Sequence, residues 1–258
     1  MRPIEILLKS RFIACVACLF HGRKGDCLTL NTALQVIREG RTNCLVYHLP
    51  IEHSAIQDTA ESWAFMDLVN AISDIDDYVF LSNTSRATTA KEALAMADVS
   101  LKTFHLIKKH PKNQDKPIIK LEVLDEDLNS IDDEVLQATS VLINKGVEVI
   151  PLLSPNESSI AACINLGVPA IRLLIGRIES MSGILNKEQL SEIVKRISVP
   201  VFFEGGLRNA NDVKEAIQLG AHGVLLNTAI RKSTDPIALV KDVREVIDLL
   251  NFKDNNLI

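Results

Sequence analysis

The chain has 258 residues, 47% hydrophobic and 24% charged, a balance that suits a globular protein long enough for one large α/β barrel or two smaller domains. A formal net charge of −5 with no basic block gives no support to nucleic-acid binding, and an aromatic content of 4% leaves few platforms for stacking bases. The class that remains is a protein handling small molecules.

Near the N-terminus, FIACVACLF (residues 12–20) follows Arg2, Lys9 and Arg11 in a faint secretory pattern. The run is too short to span a bilayer and no cleavage site follows, so it reads as a strand over Phe12–Leu19. Five cysteines, an odd count without a regular framework, suit a reducing cytoplasm. Cys15 and Cys18 form a C-x-x-C, but residues three apart on a strand face opposite ways, and no metal centre is expected there. The chain continues with a helix over Leu28–Arg38, a strand at Cys44–His48, a helix over Ser62–Ile72, a strand at Tyr78–Leu81 and a helix over Thr89–Lys109.

From Ile118 the alternation is cleaner. Ile118–Val123, Glu148–Leu153, Ala170–Ile175, Pro200–Glu204 and Gly223–Asn227 are rich in Val, Ile and Leu, as parallel strands covered on both faces are. Between them Asp132–Lys145, Asn156–Leu166, Lys187–Arg196 and Asn209–Leu219 carry apolar residues at helical spacing, and Asp235–Leu250 closes the series. Asn209, with Asp212 three residues on, reads as a helix start with a capping box. Eight strand–helix units with short connections and no dividing linker predict a single (β/α)₈ TIM barrel over residues 1–258. A repeat agrees: residues 147–174 lie over 199–226 with one insertion, each giving strand, Asn-capped helix, Leu-Gly stop and strand. A doubly wound open sheet is the runner-up, and no G-x-G-x-x-G follows any strand to support it.

Reacting groups in such barrels sit at the C-terminal ends of the strands. Gly205-Gly206 after the seventh strand and Asn227-Thr228 after the eighth then fall together, where backbone N–H groups and a helix start can hold a phosphate. The plainer alternative is a pair of tight turns leading into helix caps. A bulky residue at Gly206 is expected to block the anion without unfolding the chain. In IIKLEV (118–123) strand parity sets Lys120 and Glu122 on the face opposite Ile119, Leu121 and Val123, so the charged pair points into the barrel. It reads either as a buried ion pair fixing the packing or as a lysine nucleophile with an acid/base carboxylate. By the same parity Glu204 points inward with Phe202. One amine and two carboxylates converging on a phosphate cradle point to imine chemistry on a phosphosugar.

LSNTSRATTAKEALAMA (81–97), IKLEV (119–123), GILN (183–186), VPVFFEGGL (199–207) and AHGVLLNTAI (221–230) keep the order and near-spacing of the bacterial thiamine thiazole synthase family, which the chain resembles from about residue 80 to 245. The resemblance implies that Lys120 forms an imine with the ketone of 1-deoxy-D-xylulose 5-phosphate. Glu122 falls on a neighbouring family carboxylate, and Glu204 replaces a catalytic aspartate. Gly205, Gly206, Asn227 and Thr228 fall on positions holding the sugar phosphate. The implied reaction takes sulfur from a small thiocarboxylated carrier protein and closes a thiazole ring with an imine of glyoxylate. No cofactor or metal is implied, and assembly with further copies of the chain is compatible with the reading.

The sequence also departs from the family. Glu179 stands at a glycine position used against the substrate, with Arg177 and Met181 replacing Pro and Gly. The paired arginines after the second strand are missing, and His48-Leu49-Pro50 stands nearby. Glu179 would repel an anion if it faced the pocket, or meet a hydroxyl or ammonium of a different substrate. Asn83-Thr84 matches a family loop and equally an Asx-type turn. Two other readings therefore stay open: sulfur insertion into a different phosphosugar, and an inactive barrel serving as a binding or assembly partner.

Overall fold

The computed structural model describes residues 2–14, 28–47, 67–72, 78–104, 114 and 116–255. Eight short strands run parallel in one sheet: β1 Phe12–Ala14, β2 Cys44–Tyr47, β3 Val79–Asn83, β4 Ile118–Leu121, β5 Val149–Leu153, β6 Ile171–Leu174, β7 Val201–Glu204 and β8 Gly223–Leu226. Hydrogen bonding follows the order β1-β8-β7-β6-β5-β4-β3-β2. Strands β1 and β2 lie side by side at the remaining seam, where the Ala14 N–H donates to Thr42 Oγ1 at 3.2 Å. The result is a nearly closed (β/α)₈ barrel. Cys15, Cys18 and His48, with the outer parts of the expected strand Phe12–Leu19 and of the helices Ser62–Ile72 and Thr89–Lys109, lie outside the described residues.

Helices alternate with the strands: α2 Leu30–Gly40, α3 at 67–71, α4 Ala90–Thr103, α5 Asp132–Asn144, α6 Glu157–Asn165, α7 Lys187–Val194, α8 Ala210–Gln218, α9 Thr228–Lys232 and α10 Pro236–Asn255. Two elements were not expected from the sequence, the five-residue α9 and the leading helix α1, Pro3–Ser10. The signal for α1 is local: Pro3 opens it, and Glu5 returns its carboxylate to the Arg2 N–H at 2.9 Å. Its Ile4, Ile6 and Leu7 pack with Ile13, Val46, Val79, Leu81, Ile118, Ile150, Phe202 and Leu225 inside the barrel. Helix α1 therefore closes the floor.

Strand parity divides the core. Ile119 and Leu121 of β4, Ile171 and Leu173 of β6, and Val201 and Phe203 of β7 face the helices. The opposite set changes character up the barrel. Ile118, Ala170 and Phe202 belong to the apolar floor; two residues further along each chain stand Lys120, Arg172 and Glu204, all buried. A charged layer thus rests on an apolar one.

The repeated βαβ unit folds as the sequence predicts. Asn156 Oδ1 accepts from the Ser158 and Ser159 N–H groups, and Asn209 Oδ1 from those of Asn211 and Asp212. Gly167 and Gly220 follow the two helices with φ +87° and +104°. The capping box expected at Asn209 forms differently. Asp212 accepts from the N–H and side chain of Arg208, at 2.8–2.9 Å, one residue upstream of the cap. Each Asn→Ala change should cost about 1 kcal/mol in a urea melt with unchanged slope. The caps sit on separate helices, so the double variant should lose the sum; a marked excess would show that the repeats fold as a coupled pair.

Candidate active site

The β4 strand stops at Leu121, two residues earlier than its composition predicts, because the Glu122 N–H leaves the ladder and donates to Thr84 Oγ1 at 2.8 Å. Thr84 Oγ1 donates in turn to the Glu122 carbonyl at 2.9 Å, and the Thr84 N–H donates to the Lys120 carbonyl at 3.2 Å. The segment after β3, which the sequence left between a family loop and an Asx-type turn, thus clamps the end of β4. Ser85 reaches the Glu122 carboxylate with its hydroxyl.

Inside the mouth Lys120 is 2% exposed, Glu122 5% and Glu204 8%. Lys120 Nζ donates to Glu122 Oε2 at 2.8 Å and to Glu204 Oε1 at 3.1 Å. Sequence reasoning brought these three together but missed a fourth. Arg172, fully buried, donates through Nη1 to Glu204 Oε2, and the same nitrogen lies 3.5 Å from Glu122 Oε2. Its Nε donates to the Ile150 carbonyl at 3.0 Å and its Nη2 to the Leu121 carbonyl at 2.6 Å. The available signal was a lone arginine in the apolar run AIRLLI, at the same parity as the other inward charges. Two cations and two anions balance, which is what burial at this depth requires. Burial alone pushes the Glu122 carboxyl up, but the charges of Lys120 and Arg172 outweigh it and hold the group well below the usual carboxylate range.

Above these charges opens a cavity of about 300 Å³. All eight residues singled out from the sequence line it: Lys120, Glu122 and Glu204, then Gly205, Gly206, Asn227, Thr228 and Glu179. Asn83, Ser85, Arg86, Glu126, Leu128 and Met181 complete much of the wall. Helix α9 begins here, and its first amides have no acceptor within the helix. Asn227, its N-cap, makes no side-chain capping bond. Among the described residues no His, Cys, Asp and Glu side chains converge in a group of three suited to a metal ion.

Gly205 and Gly206 have φ +86° and +79°. Gly206 also sits where backbones touch: its carbonyl accepts from the Gly183 N–H at 2.8 Å, and a Cβ there would collide with the Gly183 carbonyl oxygen and lie 3.1 Å from Ser182 Oγ. The expectation that a bulky residue at Gly206 leaves folding intact is therefore corrected. The glycine joins the β7 end to the β6–α7 loop, and any side chain must displace backbone.

That loop carries the departures noted above. Glu179 has φ +62° and Met181 φ +54°, left-handed values that glycine adopts without strain. Ser180 helps hold them, its hydroxyl donating to the Arg177 carbonyl at 2.7 Å and accepting from the Ser182 N–H at 3.1 Å. Glu179 is exposed at the rim. Arg86 and Leu128, with φ +71° and +64°, line the same cavity, so four of the seven non-glycine residues with positive φ among the described residues surround it.

A depressed carboxyl pKa contributes stability that is complete above the ordinary range and is lost as pH falls through the lowered value. Glu122→Gln should accordingly be less stable than the parent near neutral pH, and the gap should narrow from about pH 4.5 downward, toward about 2. Chemical denaturation at a series of pH values measures it. A gap independent of pH would mean that Glu122 gains nothing from its two cations.

The family model described as "Thiazole biosynthesis protein ThiG" matches residues 27–248. A thiazole synthase from Staphylococcus saprophyticus is 34% identical over 185 residues, covering 70% of this chain and 69% of that protein. One from Bacillus licheniformis is 33% identical over 177 residues, covering 68% and 66%. In fold, the crystal structure of the Amycolatopsis orientalis BexX/CysO complex contains a chain with TM-score 0.77 and 22% identity, covering 95% of this chain and 91% of that one. The chain belongs to the ThiG family, and its place is as an enzyme of thiazole biosynthesis.

Proposed function

We propose that this protein is a thiazole synthase in which Lys120 forms an imine with the ketone of a phosphorylated sugar, 1-deoxy-D-xylulose 5-phosphate in the standard reaction, before sulfur is inserted from a thiocarboxylated carrier protein. The observation carrying the reading is an amine at a strand end, almost wholly buried and in contact with two carboxylates, on the wall of a cavity of small-molecule size. Imine formation requires the amine to lose a proton, attack the carbonyl carbon and expel the carbonyl oxygen as water. Glu122 and Glu204 both lie within hydrogen-bonding distance of Nζ, where they can accept and return those protons. Gly205, Gly206, Asn227 and Thr228, on the same wall, supply backbone donors and a helix start for the phosphate. The BexX chain of similar fold was solved in complex with a second protein, CysO, which supports a protein partner for this barrel.

Glu179 supports a second version, sulfur insertion into a different phosphosugar. A carboxylate at the rim disfavours an anionic group nearby and accepts hydrogen bonds from hydroxyls or an ammonium. In this version the phosphate sits at Gly205, Gly206, Asn227 and Thr228, and Glu179 meets a hydroxyl or ammonium elsewhere on the sugar.

Borohydride reduction in the presence of phosphosugars, read by intact mass and peptide mapping, tests both versions. One reduced adduct is expected on Lys120. Lys120→Arg keeps the positive charge and should trap nothing, while Glu204→Gln should permit the first adduct and slow the later proton transfers. The sugar without its phosphate should trap poorly, and inorganic phosphate should compete. If only another phosphosugar gives the adduct, the second version stands. If none binds or traps, the imine reading fails and the barrel serves as a binding or assembly partner.

A further inference from the structure

We propose that Arg172 is a positioning residue that sets the charge state of Lys120, offsetting one of the two carboxylates so that they hold the ammonium less firmly and it can lose its proton. As a device for imine formation this rests on the use of Lys120 as nucleophile; as a statement about the amine it stands by itself.

The geometry of the guanidinium carries the inference. Nε and Nη2 are committed to the Ile150 and Leu121 carbonyls, on β5 and β4, which fixes the plane of the group. Only Nη1 is directed at the carboxylates, bonded to Glu204 and 3.5 Å from Glu122. Each carboxylate therefore lies between an amine that can be deprotonated and a guanidinium that cannot.

The consequence for Lys120 follows from counting charges. Glu122 faces it from the end of its own strand and Glu204 from β7, with Arg172 entering from β6. Arg86, Glu126 and Glu179 share the cavity but are exposed, so water and salt screen them. Two buried carboxylates facing one ammonium, with no second cation, would hold that ammonium firmly. Arg172 neutralises the excess and also repels the ammonium directly. Both effects favour the neutral amine. Arg172 does not line the cavity, so it acts through its neighbours and not on the substrate.

The test uses no sugar, so its result is separable from the outcome of trapping. Acetic anhydride labelling of Lys120 is followed across pH by peptide mass spectrometry in the parent, Arg172→Gln, Glu204→Gln and the double variant. Loss of Arg172 should raise the labelling midpoint by about one to two pH units. Arg172→Gln strands a buried carboxylate and is the variant most prone to misfold. The Glu204→Gln background removes that carboxylate, and there the added loss of Arg172 should raise the midpoint by a similar margin. Arg172→Lys should return the midpoint toward the parent value, since it restores charge although it cannot reproduce the two carbonyl contacts. Equal midpoints with and without Arg172 in folded protein would overturn the proposal. So would an Arg172→Lys midpoint as high as that of Arg172→Gln, which would leave Arg172 a purely structural residue.

Discussion

Everything above the floor of this barrel depends on one cluster, in which Lys120 and Arg172 meet Glu122 and Glu204 almost wholly buried at the base of the mouth. Breaking such a cluster by removing one member costs about 3–5 kcal/mol, because the charge left behind is desolvated and unpaired. Replacing all four with apolar residues would be close to neutral or stabilising by the same physics. Stability therefore does not explain why the charges are there. The reaction proposed for Lys120 would explain them, and the family to which the chain belongs is one of biosynthetic enzymes.

The cluster needs walls as much as partners. Below it Phe202, Ile150 and Ile118 fill the barrel, and α1 seals the end with Ile4 and Leu7. Among the described residues the packed floor separates the charges from solvent on that side, and Lys120 faces the cavity at the mouth. Low polarisability beneath the cluster strengthens every interaction within it. Helix α1 packs in the layer beneath the charged cluster and so contributes to the environment around it.

Much of this was legible from residue order. Period-two alternation placed Lys120, Glu122 and Glu204 inside, because one face of each strand had to meet helices and only the apolar set could do so. Asn caps and Leu-Gly stops fixed α6 and α8, since both act through hydrogen bonds within a few residues. What could not be read were consequences of long-range approach. Arg172 acquires its meaning from carbonyls on two other strands and a carboxylate on a third. Gly206 read as an opening for an anion, and its contact with Gly183 depends on a loop more than twenty residues away in sequence. Helix α1 escaped because eight residues with three or four apolar positions resemble many other short stretches.

The strained residues belong to the same account. A left-handed non-glycine residue persists only where its surroundings leave no better choice, and each such position costs of order 1 kcal/mol or more. Arg86, Leu128, Glu179 and Met181 come from three different loops, and what they share is the rim of one cavity. Packing cannot be the common cause, since Arg86 and Glu179 are exposed and could relax at little expense to the core. Their side chains are held where they are by loops anchored below, at Thr84, at Ser180 and at the Gly183–Gly206 contact. Under the proposed reaction, the cluster inside the mouth is where chemistry would occur, and the strained rim above it, with Glu179 and Met181, is where the entering substrate would be selected.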